Sequence, residues 1–117
     1  MAAAKLFGAT VRSHDGVAVI DLSGEVNAGA DARLDAAYSE AAATGASSIL
    51  LNFEAVDYIN STGIALIVGI LARSKKEQRE VLACGLSEHY RKIFEITRVA
   101  DFMHLFQDEQ AAIKQAS

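Results

Sequence analysis

Four residues, Asn60-Ser61-Thr62-Gly63, stand directly before Ile64–Ala72, a run without a single polar side chain. Their types and order are the best suited to chemistry in the chain. Asn60 and Ser61 each carry a short oxygen-bearing side chain that can accept a hydrogen bond from a free N–H at a helix start. Gly63 lets the backbone come close to a neighbour. A serine in such a string also suits phosphorylation, because a phosphate at a helix N-terminus meets a favourable dipole and free amides. A charge of about -1.5 to -2 could then be added without unfolding the domain, changing mainly what the surface attracts or repels. Capping alone and a phosphorylation switch are both open readings of the string.

Other candidates offer less. His14, His89 and His104 fall in a hairpin turn, the first turn of a helix and a terminal strand, with no metal-ligand spacing. Ser61 follows Ile59-Asn60 and so lacks the G-x-S-x-G elbow and assigned base of a serine hydrolase. The small residues Ala43–Ser48 lack the glycine spacing and lysine of a phosphate-binding loop. Arg73, Lys75 and Lys76 would complement a helix C-terminal dipole and stay solvated, with partner binding as the other reading. Cys84 reads as a small core residue. No catalytic residue, metal site or cofactor is expected.

The elements that must position the string follow from periodicity and turn residues. Gly8–Ser13 and Gly16–Gly24 are strand-like runs around His14-Asp15-Gly16, whose Asp-Gly pair suits a tight antiparallel hairpin. Ala30, Leu34, Ala37, Tyr38 and Ala41 then recur at helical spacing, with Asn27 as candidate N-cap and Gly45 as the stop. Ser48–Phe53 is a short apolar strand; the residues after it read as loop, and Ile64–Ala72 reads as the most buried helix. Glu80–Leu86 is a further strand. Beyond the cap Ser87, Tyr90, Ile93, Phe94 and Thr97 mark a third helix, followed by a weak strand over 101–106 and a weak terminal helix. The order β-β-α-β-α-β-α-β-α implies an α/β fold: a mixed, mostly parallel sheet with an N-terminal antiparallel hairpin, packed against about four helices.

With 117 residues, no proline and no repeat, the chain reads as one domain over 1–117. A net charge of -4 argues against a nucleic-acid surface, so no direct nucleic-acid binding is expected. A single cysteine fits a reducing compartment. The opening sixteen residues lack the apolar core of a signal peptide, and the longest apolar run falls short of the roughly 20 residues a bilayer requires. A cytoplasmic location without membrane insertion is the expectation.

Taken over about Ala9–Ile113, the chain resembles the STAS domains of bacterial anti-sigma factor antagonists. Val19–Ala41 looks like the family's Gly-Glu-Leu-Asp turn and first helix, and Ile49–Leu71 like its strand, Asp-Ser-Ser/Thr-Gly loop and second helix. Val81–Ile113 is similar to the closing strand, the Leu-Ser-capped helix and the tail. The resemblance implies a non-enzymatic regulator that binds a cytoplasmic anti-sigma factor, itself a serine kinase of GHKL type. That kinase would switch the regulator off by phosphorylating it, and a PP2C-type phosphatase would restore it. Ser61 then falls on the phosphoacceptor, Thr62 on the following Ser/Thr and Gly63 on the loop glycine, while Gly24 and Glu25 match the earlier turn. Partner-binding residues would be Gly24, Glu25, Asn27, Asn60, Ser61, Thr62 and Gly63. Asn60 and Asn27 stand where the family commonly has Asp, which keeps a capping oxygen but removes two negative charges near the serine. The loss of acidic contacts mildly favours an alternative, a STAS scaffold or transporter-associated docking module that is not phosphorylated. A third reading is a nucleotide or lipid binder at the same loop.

Overall fold

Asp15 and Gly16 both adopt positive φ, 50° and 82°, and turn β1 (Gly8–His14) back onto β2 (Val17–Val26) as an antiparallel hairpin. The computed structural model describes residues 6–116. From β2 the chain passes through a short 3-10 turn (Ala28–Ala30) into α1 (Asp31–Ala43), then β3 (Ser48–Ile59), α2 (Ser61–Lys76), β4 (Glu80–Cys84) and α3 (Glu88–Ile96). A second 3-10 turn (Val99–Phe102), β5 (His104–Phe106) and α4 (Glu109–Ala116) complete it. The sheet order is β1-β2-β3-β4-β5, with β2 through β5 parallel.

Each crossover joins adjacent strands in the same direction along the sheet, so a single handedness places α1, α2 and α3 on one face. The alternation of side chains along the strands divides the core accordingly. Ile20, Leu51 and Ala83 pack with Leu34 of α1, Ile67 of α2 and Phe94 of α3. Their neighbours Val19, Leu50 and Leu82 point the other way, beneath Ala112 and Ile113 of α4. Sheet residues buried on both faces explain the nearly continuous apolar run at the start of β3.

Four expectations change. The strand expected over 101–106 is confined to His104–Phe106, because Asp101 and Phe102 belong to the second 3-10 turn. Asn27 caps the 3-10 turn, accepting from the Gly29 N–H at 2.9 Å, and α1 starts four residues later without a side-chain cap. The segment after Phe53 is strand, not loop: β3 runs on to Ile59, pairing with β2 as far as Val26↔Ile59 after β4 has ended opposite Asn52. Glu54, Ala55, Asp57 and Tyr58 are exposed there, so the extension carries no apolar alternation to reveal it. Finally, α2 is only half buried. Gly63, Ile67, Ile70, Leu71 and Ser74 face the sheet, whereas Ala65, Val68, Gly69 and Ala72 are exposed because no further layer covers them.

Candidate functional site

The extended β3 delivers Asn60 to the end of β2. The Asn60 N–H donates to the Val26 carbonyl at 3.2 Å, which continues the ladder by one bond before the helix begins. Asn60 is the N-cap of α2: its Oδ1 accepts from the Gly63 N–H at 2.8 Å, and its carbonyl accepts from the Ile64 N–H at 2.9 Å. A Cβ on Gly63 would stand 2.0 Å from the Val26 carbonyl oxygen, so only glycine lets the first turn of α2 lie on the end of β2. Behind this joint, the Tyr90 hydroxyl of α3 accepts from the Ile59 N–H at 3.0 Å.

The two short segments singled out in the sequence are thereby brought side by side. Gly24, with φ of 77°, sits at an irregularity in the β2–β3 register, and Glu25 lies opposite Tyr58. Val26 is held by Asn60 and covered by Gly63, and Asn27 begins the next turn. Ser61 and Thr62 are exposed in the first turn of α2, and their hydroxyls make no hydrogen bond among the described residues. Their N–H groups belong to the first helical turn, which has no intrahelical acceptor. The capping function falls on Asn60, leaving the Ser61 hydroxyl available for modification.

Two features escaped the sequence reading. Tyr58, half exposed beside Glu25, and Tyr90, which steadies the end of β3, both border the site. Apolar residues on all sides of α2 were the available signal for its uncovered outer face, since such a helix is either wholly buried or meets something else.

The remaining candidates are dispersed. His14 Nδ1 lies 2.5 Å from Glu109 Oε2, His89 packs edge-on against Tyr90, and His104 Nε2 lies 2.9 Å from Glu80 Oε1. No group of His, Cys, Asp and Glu suited to a metal occurs among the described residues. Arg73 is more than a solvated dipole partner: it lies 4.4 Å over the Tyr38 ring and pairs with Asp35 and Glu77. The Tyr38 hydroxyl, followed by Arg73 and Arg79, holds the Glu77 carboxyl below its ordinary range. Cys84 is buried, and desolvation pushes its thiol up to about 12, which suits a core residue and not a nucleophile.

On the opposite face of the sheet, Arg12 donates to both Asp21 and Glu109. Hydrogen bonds from Arg12 lower the Asp21 carboxyl and hold that of Glu109 at about 2. No helix among the described residues is long and apolar enough to cross a membrane.

Comparison with known proteins bears on both fold and site. The STAS domain family model matches residues 9–112. An anti-sigma-B factor antagonist of Staphylococcus aureus is 38% identical over 61 residues, 52% of this chain and 56% of the relative. The chain thus spans about half the length of the curated relatives it matches at that level. Among solved structures, an anti-sigma factor antagonist from Mycobacterium paratuberculosis superposes with a TM-score of 0.82 at 20% identity, over 95% of this chain and 94% of the other. The Bacillus cell fate determinant SpoIIAA in its phosphorylated form gives a TM-score of 0.71 at 24% identity, over 94% and 100%. At these identities the two structures bear on the fold alone.

Proposed function

The chain belongs to the STAS domain family, and from that premise we propose that it acts as an anti-sigma factor antagonist switched by phosphorylation of Ser61. In its unmodified form it binds a cytoplasmic anti-sigma factor that is also a serine kinase of GHKL type. The contact is made by Asn60, Ser61, Thr62 and Gly63 with the adjoining Gly24, Glu25 and Asn27. Transfer of a phosphoryl group to the Ser61 hydroxyl ends the complex, and a PP2C-type phosphatase restores it. The chain itself performs no catalysis.

The observation that supports this most is the division of labour at the start of α2. Asn60 supplies the cap and Gly63 the close packing, so the exposed Ser61 hydroxyl has no structural task of its own. A dianion there meets the free first-turn amides and leaves the fold standing. At an interface the same dianion must be desolvated without paired cations, which weakens binding. The side-chain amides of Asn60 and Asn27 are engaged as neutral caps, so neither adds a negative charge against the phosphate.

The test is phosphate mapping by mass spectrometry after incubation with ATP in lysate of the source cells. Label on Ser61 is expected; labelling of other substrates without label on Ser61 overturns the reading. Ser61→Asp is expected to weaken partner binding and Ser61→Ala to preserve it. Recovery of a membrane transporter ATPase in place of a GHKL-type kinase would assign the loop to a docking module.

A further inference from the structure

The Ser61 loop is small and polar, whereas a stable protein interface covers about 800 Å² on each partner, a patch roughly 30 Å across, and draws its affinity from buried aromatic and aliphatic anchors. Along α2 the rise is about 1.5 Å per residue, so Val68 and Lys75 lie roughly 10 and 21 Å from Ser61. A partner seated on the loop therefore reaches the far half of the helix. There an apolar groove of about 310 Å³ opens between α2 and the 3-10 turn Val99–Phe102. Leu71 and Val99 form its buried floor, and Val68 and Phe102 stand 46% and 61% exposed at its walls.

The charges beside the groove indicate what it receives. Lys75, at the groove wall with its Nζ 5.9 Å from the Phe102 ring centroid, and the adjacent Lys76 are exposed and make no ion pair among the described residues. By contrast Arg98, at the same groove, is paired with Asp101 at 2.6 Å. In a chain of net charge -4, two unpaired lysines beside an apolar groove favour an acidic visitor.

We infer that this groove is the anchoring half of the Ser61 interface and takes the apolar side of an acidic amphipathic helix of the same partner. The inference rests on the reading of the Ser61 loop as a partner-binding site. Val68 and Phe102 supply the burial, and Lys75 and Lys76 the charge match. Phosphorylation then acts at the polar end of a contact whose hold lies about two to four helical turns away.

Photo-crosslinking in the source cells tests this, with p-benzoylphenylalanine placed singly at Thr62, at Phe102, and at Gln110 on α4 as a control. Positions 62 and 102 are expected to trap one and the same protein, and position 110 not to. Ser61→Asp should reduce both adducts by about tenfold or more, and Phe102→Ser should reduce the adduct at 62 by at least as much. The partner peptide joined to position 102 should be helical in pattern and acidic. If position 62 traps a protein and position 102 traps none or another, the inference fails while the proposed function stands. An adduct at 102 that is indifferent to Ser61→Asp, or joined to a basic peptide, also overturns it. If neither position traps a protein, the reading of the Ser61 loop fails and the inference falls with it. Melting curves matching the unsubstituted protein verify that each variant is folded.

Discussion

Under α4, Arg12 donates to both Asp21 and Glu109, His14 lies against the same glutamate, and the Asn52 side chain donates to Asp21 at 2.9 Å. At the start of α2, the Ser61 and Thr62 hydroxyls face solvent and bond to nothing among the described residues. The first cluster holds more charge and has the larger shifts in acidity, yet its groups are spent on one another. It ties the terminal helix and the β1 edge to the sheet. The second has almost no charge, and its backbone is fixed by Asn60, Val26 and Gly63, so the Ser61 and Thr62 hydroxyls are left without a structural task. In this molecule the perturbed acidity accompanies structural attachment, whereas the site proposed for the switch carries an idle hydroxyl on a rigid backbone. Perturbed groups point to function only when geometry also leaves them accessible.

The strongest way to break that contrast is to disturb the backbone under the free hydroxyls. Gly63→Ala places a methyl 2.0 Å from the Val26 carbonyl oxygen, and α2 must lift from β2. A loss of about 3 kcal/mol in urea unfolding is expected, near the upper end for overpacking. Partner binding should fall with it even though Ser61 is intact. A loss under about 0.5 kcal/mol would show that the joint is not rigid.

Glu109→Gln addresses the charged cluster next. Glu109 is held at about 2 against an ordinary 4.5, chiefly by hydrogen bonds from Arg12. A depressed carboxyl stabilises the fold fully above the ordinary value and loses that contribution as the pH falls through 4.5 toward 2. Arg12 is 44% exposed, so solvent screening limits the effect to about 1–2 kcal/mol at neutral pH. Urea midpoints measured from pH 7 to pH 2 should drop less steeply in the variant below pH 4.5. Ser61 phosphorylation should be unaffected.

The two regions also differed in how far the sequence revealed them. The start of α2 was legible because caps act locally: Asn60 and Gly63 are three residues apart and their bond is at 2.8 Å. The same holds for Asp15-Gly16 in the hairpin and for Ser87, which accepts from the Tyr90 N–H at 3.3 Å. The Arg12–Glu109 contact joins residues 97 apart and leaves no local pattern. The extension of β3 was hidden because both of its faces are largely exposed, which removes the alternation that marks a strand. The burial of α2 was overestimated for a related reason: composition records apolar residues but not whether a second layer covers them.

Asn60→Ala removes the cap from the idle-hydroxyl region while leaving the Val26 packing in place. About 1 kcal/mol of stability should be lost, as for a typical N-cap. Asn60→Asp keeps the acceptor for the Gly63 N–H and adds a negative charge at the positive end of the helix, so stability should hold or rise slightly. The same charge lies next to Ser61, and it should make a phosphate there harder to accommodate. Unfolding curves run beside phosphate mapping would separate the two consequences.

The smallest expected effect is the most discriminating. Ser61→Ala deletes a hydroxyl that bonds to nothing among the described residues, at a position where alanine is a good helix former. Its unfolding free energy should stay within about 0.5 kcal/mol of the unsubstituted protein, as for other surface changes away from structural contacts. A destabilisation near 1 kcal/mol would mean that Ser61 shares the capping task, since that is the usual cost of losing a cap. The contrast with the α4 cluster would then reduce to two structural regions of unequal charge. Stability unchanged together with loss of phosphate label would instead leave the hydroxyl with chemistry as its sole employment.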